Sequence, residues 1–141
     1  MPDGRPVLDQ INLVVRDMDA MVEFYEQLGF KAATTGADWE RHHRTLSTPD
    51  GLDFDLDSTE SAVGWNSGWP LGETGPVIGF RFDSRDAVDK KFGELTAAGY
   101  VGQQPPYDAF WGARYAVVVD PEGNPVGLMS PADPGLRSPP P

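Results

Sequence analysis

The sequence contains no cysteine and little positive charge, and both shortages narrow its possible functions. Without cysteine, the chain cannot form a disulfide, use a thiol nucleophile or bind zinc through thiolates. Its 11 lysines and arginines stand against 22 aspartates and glutamates, which gives a formal net charge of −11. Such a surface repels nucleic acid phosphates and anionic lipids, so we expect neither nucleic acid nor a membrane as a partner. An acidic surface is typical of solubility, and it would also attract a cationic ligand.

The sequence also lacks a long apolar run. No stretch approaches the roughly 20 residues that a membrane-spanning helix needs. The first ten residues, MPDGRPVLDQ, lack the basic start and apolar core of a signal peptide. We therefore expect a soluble, cytoplasmic protein. The 141 residues suffice for one compact domain, whereas two independent domains would be too small to be stable.

What the chain does contain is an internal repeat. At an offset of 67 residues, the alternating apolar positions of one segment match those of another: Ile11, Leu13 and Val15 match Ile78, Phe80 and Phe82. Each half continues with an amphipathic helix and closes on a glycine followed by an aromatic residue. A repeat of this length indicates a duplicated supersecondary unit, and two such units commonly form a site between them.

The first module covers about residues 7–58. Alternation of apolar and polar residues predicts a strand at 8–15. Asp17 is a typical helix N-cap and Gly29 a typical helix end, which predicts a helix between them. Further strands are predicted at 31–35, 43–48 and 52–57.

The second module covers about residues 76–131. A strand at 77–83 leads into a helix capped by Ser84 and ended by Gly99. Strands at 115–119 and 126–129 flank a DPEGN turn. Residues 1–132 then form a single domain, with a linker at 59–75 and a disordered tail at 133–141.

Two βαβββ modules predict an α+β fold in which the strands curl around a concave cavity and helices cover the outside. The repeat, the opening LDQINLVVRDMDAMVEFYEQLGF and the late Asp-Pro-x-Gly-Asn turn carry a family resemblance over about residues 7–131. On these motifs the chain resembles the vicinal oxygen chelate superfamily, which includes glyoxalase I, extradiol dioxygenases and bleomycin-resistance proteins. The segments AVDKKFGELTAAGY and DAFWGARYAVVVDPEGNPVGL are similar to the branch that contains the mitomycin-resistance protein.

The resemblance implies a divalent metal held by four side chains, one from each of four strands. Gln10 stands at the first of these positions, and Asp53 or Asp55 can serve at the second, but the third and fourth carry Val77 and Gly127. Valine and glycine side chains cannot bind a metal, so too few protein ligands remain for a catalytic divalent ion. We therefore predict no metal, no cofactor and no metal-dependent catalysis.

Other catalytic groups are few. No serine lies in a nucleophile-elbow pattern, and the adjacent His42 and His43 lie outside the ligand positions that the family implies. Asp53 and Asp55 point to the same face of one strand, about 7 Å apart by strand geometry. This pair can bind a cation or do acid–base work, or it can be a solvated acidic face.

Aromatic residues are the positive evidence for ligand binding. Large flat side chains with a polar atom suit planar molecules, although such residues also fill cores. Four tryptophans are present, and three further aromatics lie near the last of them: Trp39, Trp65, Trp69 and Trp111, with Tyr107, Phe110 and Tyr115. The resemblance implies that Trp111 stacks on a drug and that a second stacking group follows the first helix. His42, His43, Trp39 and Arg41 are the candidates for that second group.

The remaining candidates for ligand binding are Tyr107, Asp108, Arg114, Asp55 and Phe54. Asp108 can accept a hydrogen bond from a ligand amine or stabilise a turn. Arg114 can bind a ligand carbonyl or carboxylate, but it can also pair with a structural carboxylate such as Asp120, and we favour the structural role.

These features predict a metal-independent binding protein that sequesters an aromatic or quinone-type natural product or antibiotic and confers resistance. The resemblance implies a homodimer. One alternative is an enzyme of the same superfamily, a lyase, isomerase or glyoxalase-like protein acting on a secondary metabolite. Another is a sensory or scaffold subunit whose cavity binds no small molecule.

Overall fold

The computed structural model describes residues 4–33, 36, 38–46 and 48–139. Each half of the chain supplies a strand, a helix and further strands. The first half comprises β1 (Val7–Val15), α1 (Met18–Leu28), β2 (His43–Leu46) and β3 (Asp53–Ser58), and α2 (Thr59–Trp65) follows it. The second half comprises β4 (Gly75–Arg81), α3 (Arg85–Ala97), β5 (Val101–Asp108), β6 (Arg114–Val119) and β7 (Pro125–Met129). In the part of the chain that the structure describes, no helix is long and apolar enough to cross a membrane.

The strands form one curled, open sheet in the order β2-β3-β1-β4-β7-β6-β5. At its centre β1 and β4 are antiparallel; β3 runs parallel beside β1, and β7 runs parallel beside β4. Ile11 lies opposite Ile78 in the β1–β4 register. These two residues hold the same position in the sequence repeat, so an approximate two-fold axis relates the modules and passes between them. The predicted α+β fold with two modules around one sheet is confirmed.

The predicted capping residues lie at the ends of the helices. Asp17 accepts a hydrogen bond from the backbone N–H of Ala20 at 3.1 Å, and Ser84 accepts one from the N–H of Ala87 at 3.1 Å. Gly29 ends α1 with a φ of 125°, a conformation that glycine adopts without steric cost. The helices α1 and α3 cover one face of the sheet, where α1 packs over Leu46 and Leu56 and α3 packs over Ala116 and Leu128. The other face is left for the cavity.

The strand β5 lies where the sequence pattern predicts no strand. It contains Pro105 and Pro106, which cannot donate a ladder hydrogen bond. The strand lies at the end of the sheet order and pairs with β6 alone. An edge strand tolerates proline because one side of its backbone needs no sheet partner. The pairing also shifts register twice, between Gly102 and Gln104 and between Gln104 and Tyr107.

The predicted linker 59–75 begins with the helix α2. The Ser58 hydroxyl accepts a hydrogen bond from the N–H of Ser61 at 3.0 Å and caps it. Ala62 and Trp65 are buried on its inner side. Seven residues are too few to show a helical period in a sequence, so the pattern gave no signal for this helix. Its consequence is that Trp65 is brought over the concave face of the sheet.

The predicted tail, 133–141, contains a short 3-10 helix at Pro134–Leu136. The backbone N–H of Asp133 donates to the carbonyl of Gly112 at 3.0 Å, and that of Ser138 donates to the carbonyl of Phe110 at 2.8 Å. Backbone bonds therefore tie this segment to the loop before β6. Pro140 and Pro141 lie outside the described residues.

The predicted strand 31–35 is described only in part. Ala32 forms an isolated antiparallel bridge with Leu46, the last residue of β2. Thr34 and Thr35 lie outside the described residues, and so does Ser47 of the predicted strand 43–48.

Candidate functional site

A cavity of about 1000 Å³ lies on the concave face of the sheet. The alternation of side chains along each strand decides which residues reach it. Gln10 and Asn12 of β1 line it, and so do Asp53, Asp55 and Asp57 of β3. The floor of the cavity is therefore polar and acidic.

The four positions where the superfamily would hold a metal do not form a ligand set here. Gln10 donates from Nε2 to Asp55 Oδ2 at 2.6 Å, so these two residues already bind each other. Val77 is 1% exposed within an apolar cluster. A Cβ added to Gly127 would lie 3.0 Å from Tyr115 Oη and 3.2 Å from its Cε1, so the tyrosine crowds the position of a fourth ligand.

Among the described residues, no group of three or more histidine, aspartate or glutamate side chains is placed to hold a metal ion. The donors at the superfamily positions are one amide and one carboxylate. A catalytic divalent ion needs more protein ligands than these two. The residues present therefore do not fit the metal.

Burial sets the protonation behaviour of the acidic strand β3. Burial raises the pKa of Asp55, against the charge of His43 and the hydrogen bond from Gln10. Burial and the charge of Asp9 likewise raise the pKa of Asp53. Asp57 is 3% exposed, and its Oδ1 lies 2.8 Å from His43 Nδ1. Burial makes the ionised carboxylates of β3 less favourable, and a positively charged partner would offset this cost.

His43 is the basic side chain that pairs with this strand. Burial by itself lowers the pKa of His43, but the hydrogen bond to Asp57 and the charges of the three β3 aspartates outweigh it, so the pKa lies above its ordinary value. A carboxylate at Nδ1 also fixes the orientation of the imidazole. The ring remains at the cavity wall, with its side chain 26% exposed.

We expect the stability of the protein to fall as the pH rises through the folded-state pKa of His43. A raised pKa means that the folded state holds the proton more tightly than the unfolded chain. The stabilisation is therefore complete below about pH 6.5 and is lost above the folded pKa. Urea unfolding at a series of pH values, with His43→Gln as the matched variant, measures this loss. An NMR titration that places the imidazole pKa at or below its ordinary value would contradict the prediction.

Aromatic side chains form one wall of the cavity. The centroid of the Trp111 ring lies 5.3 Å from that of Tyr115 and 5.2 Å from that of Phe110, and both pairs pack edge to face. Trp39, from the loop before β2, packs edge to face on Phe110, with 6.2 Å between the ring centroids. Trp111 Nε1 lies 3.2 Å from the sulfur of Met129, which fixes the indole against β7. An aromatic wall of this kind can stack on a planar molecule.

Three buried polar atoms among the described residues have no hydrogen-bond partner, and all three residues line the cavity. They are Asn12 Oδ1, Asp57 Oδ2 and Trp65 Nε1. Buried polar atoms in folded proteins are almost always paired, so each such atom calls for a partner from water or a ligand. Asn12 Oδ1 and Asp57 Oδ2 are acceptor atoms, and Trp65 Nε1 is a donor.

Four of the predicted ligand-binding residues line the cavity together: Trp39, His43, Asp55 and Trp111. His42 lies beside a smaller cavity of about 210 Å³, and its Nδ1 is 2.9 Å from Ser58 Oγ. Phe54 lies on the helix-covered face of the sheet, where its ring is 5.1 Å from that of Tyr25. Alternation explains this placement, because neighbours on a strand point to opposite faces.

The other three predicted residues lie around β5 and β6. Tyr107 donates to the carbonyl of Trp65 at 3.1 Å, and burial raises its pKa. Arg114 donates to Asp89 of α3 at 2.9 Å and to Asp108 at 3.1 Å, so it bonds to α3 and to the end of β5 rather than to Asp120. Hydrogen bonds from Arg85 and Arg114 lower the pKa of Asp108.

Several cavity residues are absent from the sequence-based candidates. Alternation places Asn12 on the same strand face as Gln10, and Asp57 on the same face as Asp55, so the sequence pattern could have predicted both residues. No sequence pattern predicts the position of Trp65, because α2 is too short to show a helical period. Arg137 and Ser138 also line the cavity, from a segment predicted to be disordered.

Comparisons with known proteins fit this fold. The family model described as the Glyoxalase/Bleomycin resistance protein/Dioxygenase superfamily matches residues 7–128. The comparison with curated proteins found no significant match.

Solved structures share the architecture at low identity. A structure described as NAD-dependent benzaldehyde dehydrogenase from Legionella pneumophila is 19% identical over 86% of this chain and 96% of that one, with a TM-score of 0.64. A Mn(II)-bound glyoxalase from Novosphingobium aromaticivorans is 19% identical over 87% of this chain and 38% of that one, with a TM-score of 0.60. A Streptomyces coelicolor methylmalonyl-CoA epimerase variant in complex with 2-nitronate-propionyl-CoA is 25% identical over 89% of this chain and 97% of that one, with a TM-score of 0.55.

Proposed function

Because the chain belongs to the glyoxalase/bleomycin resistance protein/dioxygenase superfamily, we propose that it is a binding member without a catalytic metal. Its ligand is an aromatic or quinone-type natural product or antibiotic, which the cavity sequesters unchanged, so that the protein confers resistance. We also propose that the protein is a cytoplasmic homodimer. Its proposed relation to the mitomycin-resistance branch rests on the likeness of the DAFWGARY segment.

The observation that carries the proposal is the replacement of a metal centre by an aromatic wall. Tyr115 crowds the position next to Gly127, and Trp111 packs on Tyr115. Where a metal-dependent relative would need a fourth ligand, this chain presents ring surfaces. Sequestration needs no reacting group, only a shaped surface that gains from excluding water.

The size and lining of the cavity suit a drug-sized planar ligand. Ligand pockets commonly enclose about 300–1,000 Å³, and this cavity lies at the upper end of that range. A ring system stacked between Trp111 and Trp39 would bury apolar surface, while its polar edge would face β3. Stacked aromatic pairs add about 0.5–1.5 kcal/mol beyond the area that they bury.

A second candidate function is proton transfer on a small secondary metabolite, as in a lyase or isomerase. The pairing of His43 with Asp57 favours it, because a carboxylate-oriented imidazole at a cavity wall can act as a general base. The methylmalonyl-CoA epimerase variant from Streptomyces coelicolor, in complex with 2-nitronate-propionyl-CoA, has a similar fold. Turnover that is lost in His43→Gln would select this function over sequestration.

The direct experiment is a titration of the purified protein with planar antibiotics, including mitomycin-type quinones and bleomycin-type glycopeptides. Tryptophan fluorescence reports binding, because Trp39 and Trp111 line the cavity. Mass spectrometry of the released ligand reports any chemical change. We expect saturable quenching by at least one planar ligand, which is recovered intact. Recovery of a converted product would favour the enzyme, and no binding by the whole panel would contradict sequestration.

A further inference from the structure

We propose that the ligand of this cavity carries a cationic nitrogen group with at least two N–H donors, which binds between Asn12 and Asp57. This inference rests on the proposed binding function and specifies its ligand class. A protonated amidine or primary amine attached to a planar ring has the required chemistry. The ring lies on the aromatic wall and the nitrogen group lies against the acidic strand.

The unpartnered atoms carry the argument. Asn12 is 8% exposed and Asp57 is 3% exposed, yet Asn12 Oδ1 and Asp57 Oδ2 have no hydrogen-bond partner. Both atoms are acceptors, so only a donor can satisfy them. Hydrogen bonds to a charged group are stronger than neutral ones, and the carboxylate gains most from a positive donor. A carboxylate or carbonyl group on the ligand would leave both atoms unpaired.

Charges around the cavity favour the same ligand. Three aspartates of β3 line it, and of the cations beside them Arg81 already pairs with Asp9 at 2.7 Å. His43 pairs with one carboxylate oxygen of Asp57 and leaves the other free for a ligand. Arg137 also lines the cavity, but it lies on an exposed segment, where water screens its charge. The buried end of the cavity therefore keeps negative charge in excess.

The register of the sheet sets the span that the ligand must bridge. Asn12 lies opposite Asp55 in the β1–β3 pairing, so Asp57 is its diagonal neighbour. Diagonal neighbours on one sheet face are about 7–8 Å apart at the backbone, within reach of one group that donates in two directions. Trp65 Nε1, the third unpartnered atom, is a donor and lies among the apolar side chains beside this end. It can take an acceptor on the ring system.

Three naphthalene probes of equal shape test the charge requirement: 2-naphthamidine, 2-naphthamide and 2-naphthoate. Isothermal titration calorimetry measures each affinity for the full chain. We expect the amidine to bind at least about tenfold more tightly than the neutral amide, since a charged hydrogen bond is lost in the amide. We expect no saturable binding of the anionic naphthoate.

Matched variants locate the effect. Asp57→Asn keeps the size of the side chain and removes its charge, so it is expected to weaken amidine binding at least about tenfold and amide binding by about twofold or less. Asp19→Asn removes the same charge from the exposed first turn of α1 and is expected to change neither affinity. Should Asp57→Asn fail to fold, Asn12→Ala removes the other acceptor and carries the same test.

Equal affinities for amidine and amide would overturn the cationic assignment and leave aromatic binding intact. Tighter binding of the naphthoate, or no binding of the amidine, would overturn it as well. The antibiotic panel is a separate measurement, so the binding function stands or falls on its own result.

Discussion

Replacing Trp111 with alanine is expected to weaken binding of a planar ligand about thirtyfold or more. Tryptophans at the centre of a contact commonly contribute more than about 2 kcal/mol of binding free energy. Trp111 packs edge to face on Phe110 and Tyr115 and lines the cavity. Alanine would remove the stacking surface and also release its two neighbours. Fluorescence is reduced by the change itself, so calorimetry is the better measurement.

Trp111→Phe is the matched control. Phenylalanine keeps a ring on Tyr115 but loses the Nε1 contact with the Met129 sulfur, so it should retain most of the affinity. A thermal melt of each variant separates a loss of binding from a loss of folding. Full affinity in Trp111→Ala, with an unchanged melt, would show that the ligand binds elsewhere.

Replacing Gly112 with alanine is expected to destabilise the protein by about 3 kcal/mol or more, because strain and a steric clash coincide there. Its φ is +93°, and an added Cβ would lie 2.3 Å from the carbonyl oxygen of Asp133. That oxygen belongs to backbone, and the same segment is bonded to Gly112 through the N–H of Asp133. The loop that presents Phe110 and Trp111 must therefore move. Urea unfolding measures the loss.

Gly123→Ala is the control, because it shares the strain without the clash. Its φ is +90°, but no atom lies within 4 Å of an added Cβ. It should cost only about 1–2 kcal/mol, the usual penalty for a non-glycine residue in this conformation. Equal losses in the two variants would mean that the contact between Gly112 and Asp133 is not as close as described.

Local chemistry was enough to predict most of the fold. The caps at Asp17 and Ser84, and the alternation in β1 and β3, are decided by the residues within each element. The repeat then placed the two modules around one sheet. Long-range context decided the rest: β5 contains two prolines and is a strand only because it lies at the sheet edge.

Positions in the cavity were predictable where strand alternation or the family resemblance applied. Asp55 and Trp111, which were predicted in this way to bind a ligand, both line the cavity. Phe54 was placed in the site although alternation assigns it to the opposite face, where it packs against Tyr25. Trp65 and Ser138 reach the cavity through a seven-residue helix and a tail segment, whose positions depend on tertiary contacts that no local pattern encodes.

The central claim is that this cavity binds its ligand without a metal. The most direct test is a calorimetric titration of one planar ligand from the panel, before and after exhaustive chelation and then with added Mn²⁺. We predict the same affinity and stoichiometry in all three titrations, because Val77 and Gly127 supply no ligand and Tyr115 crowds the position of Gly127. Binding that is abolished by chelation and restored by Mn²⁺ would contradict the account.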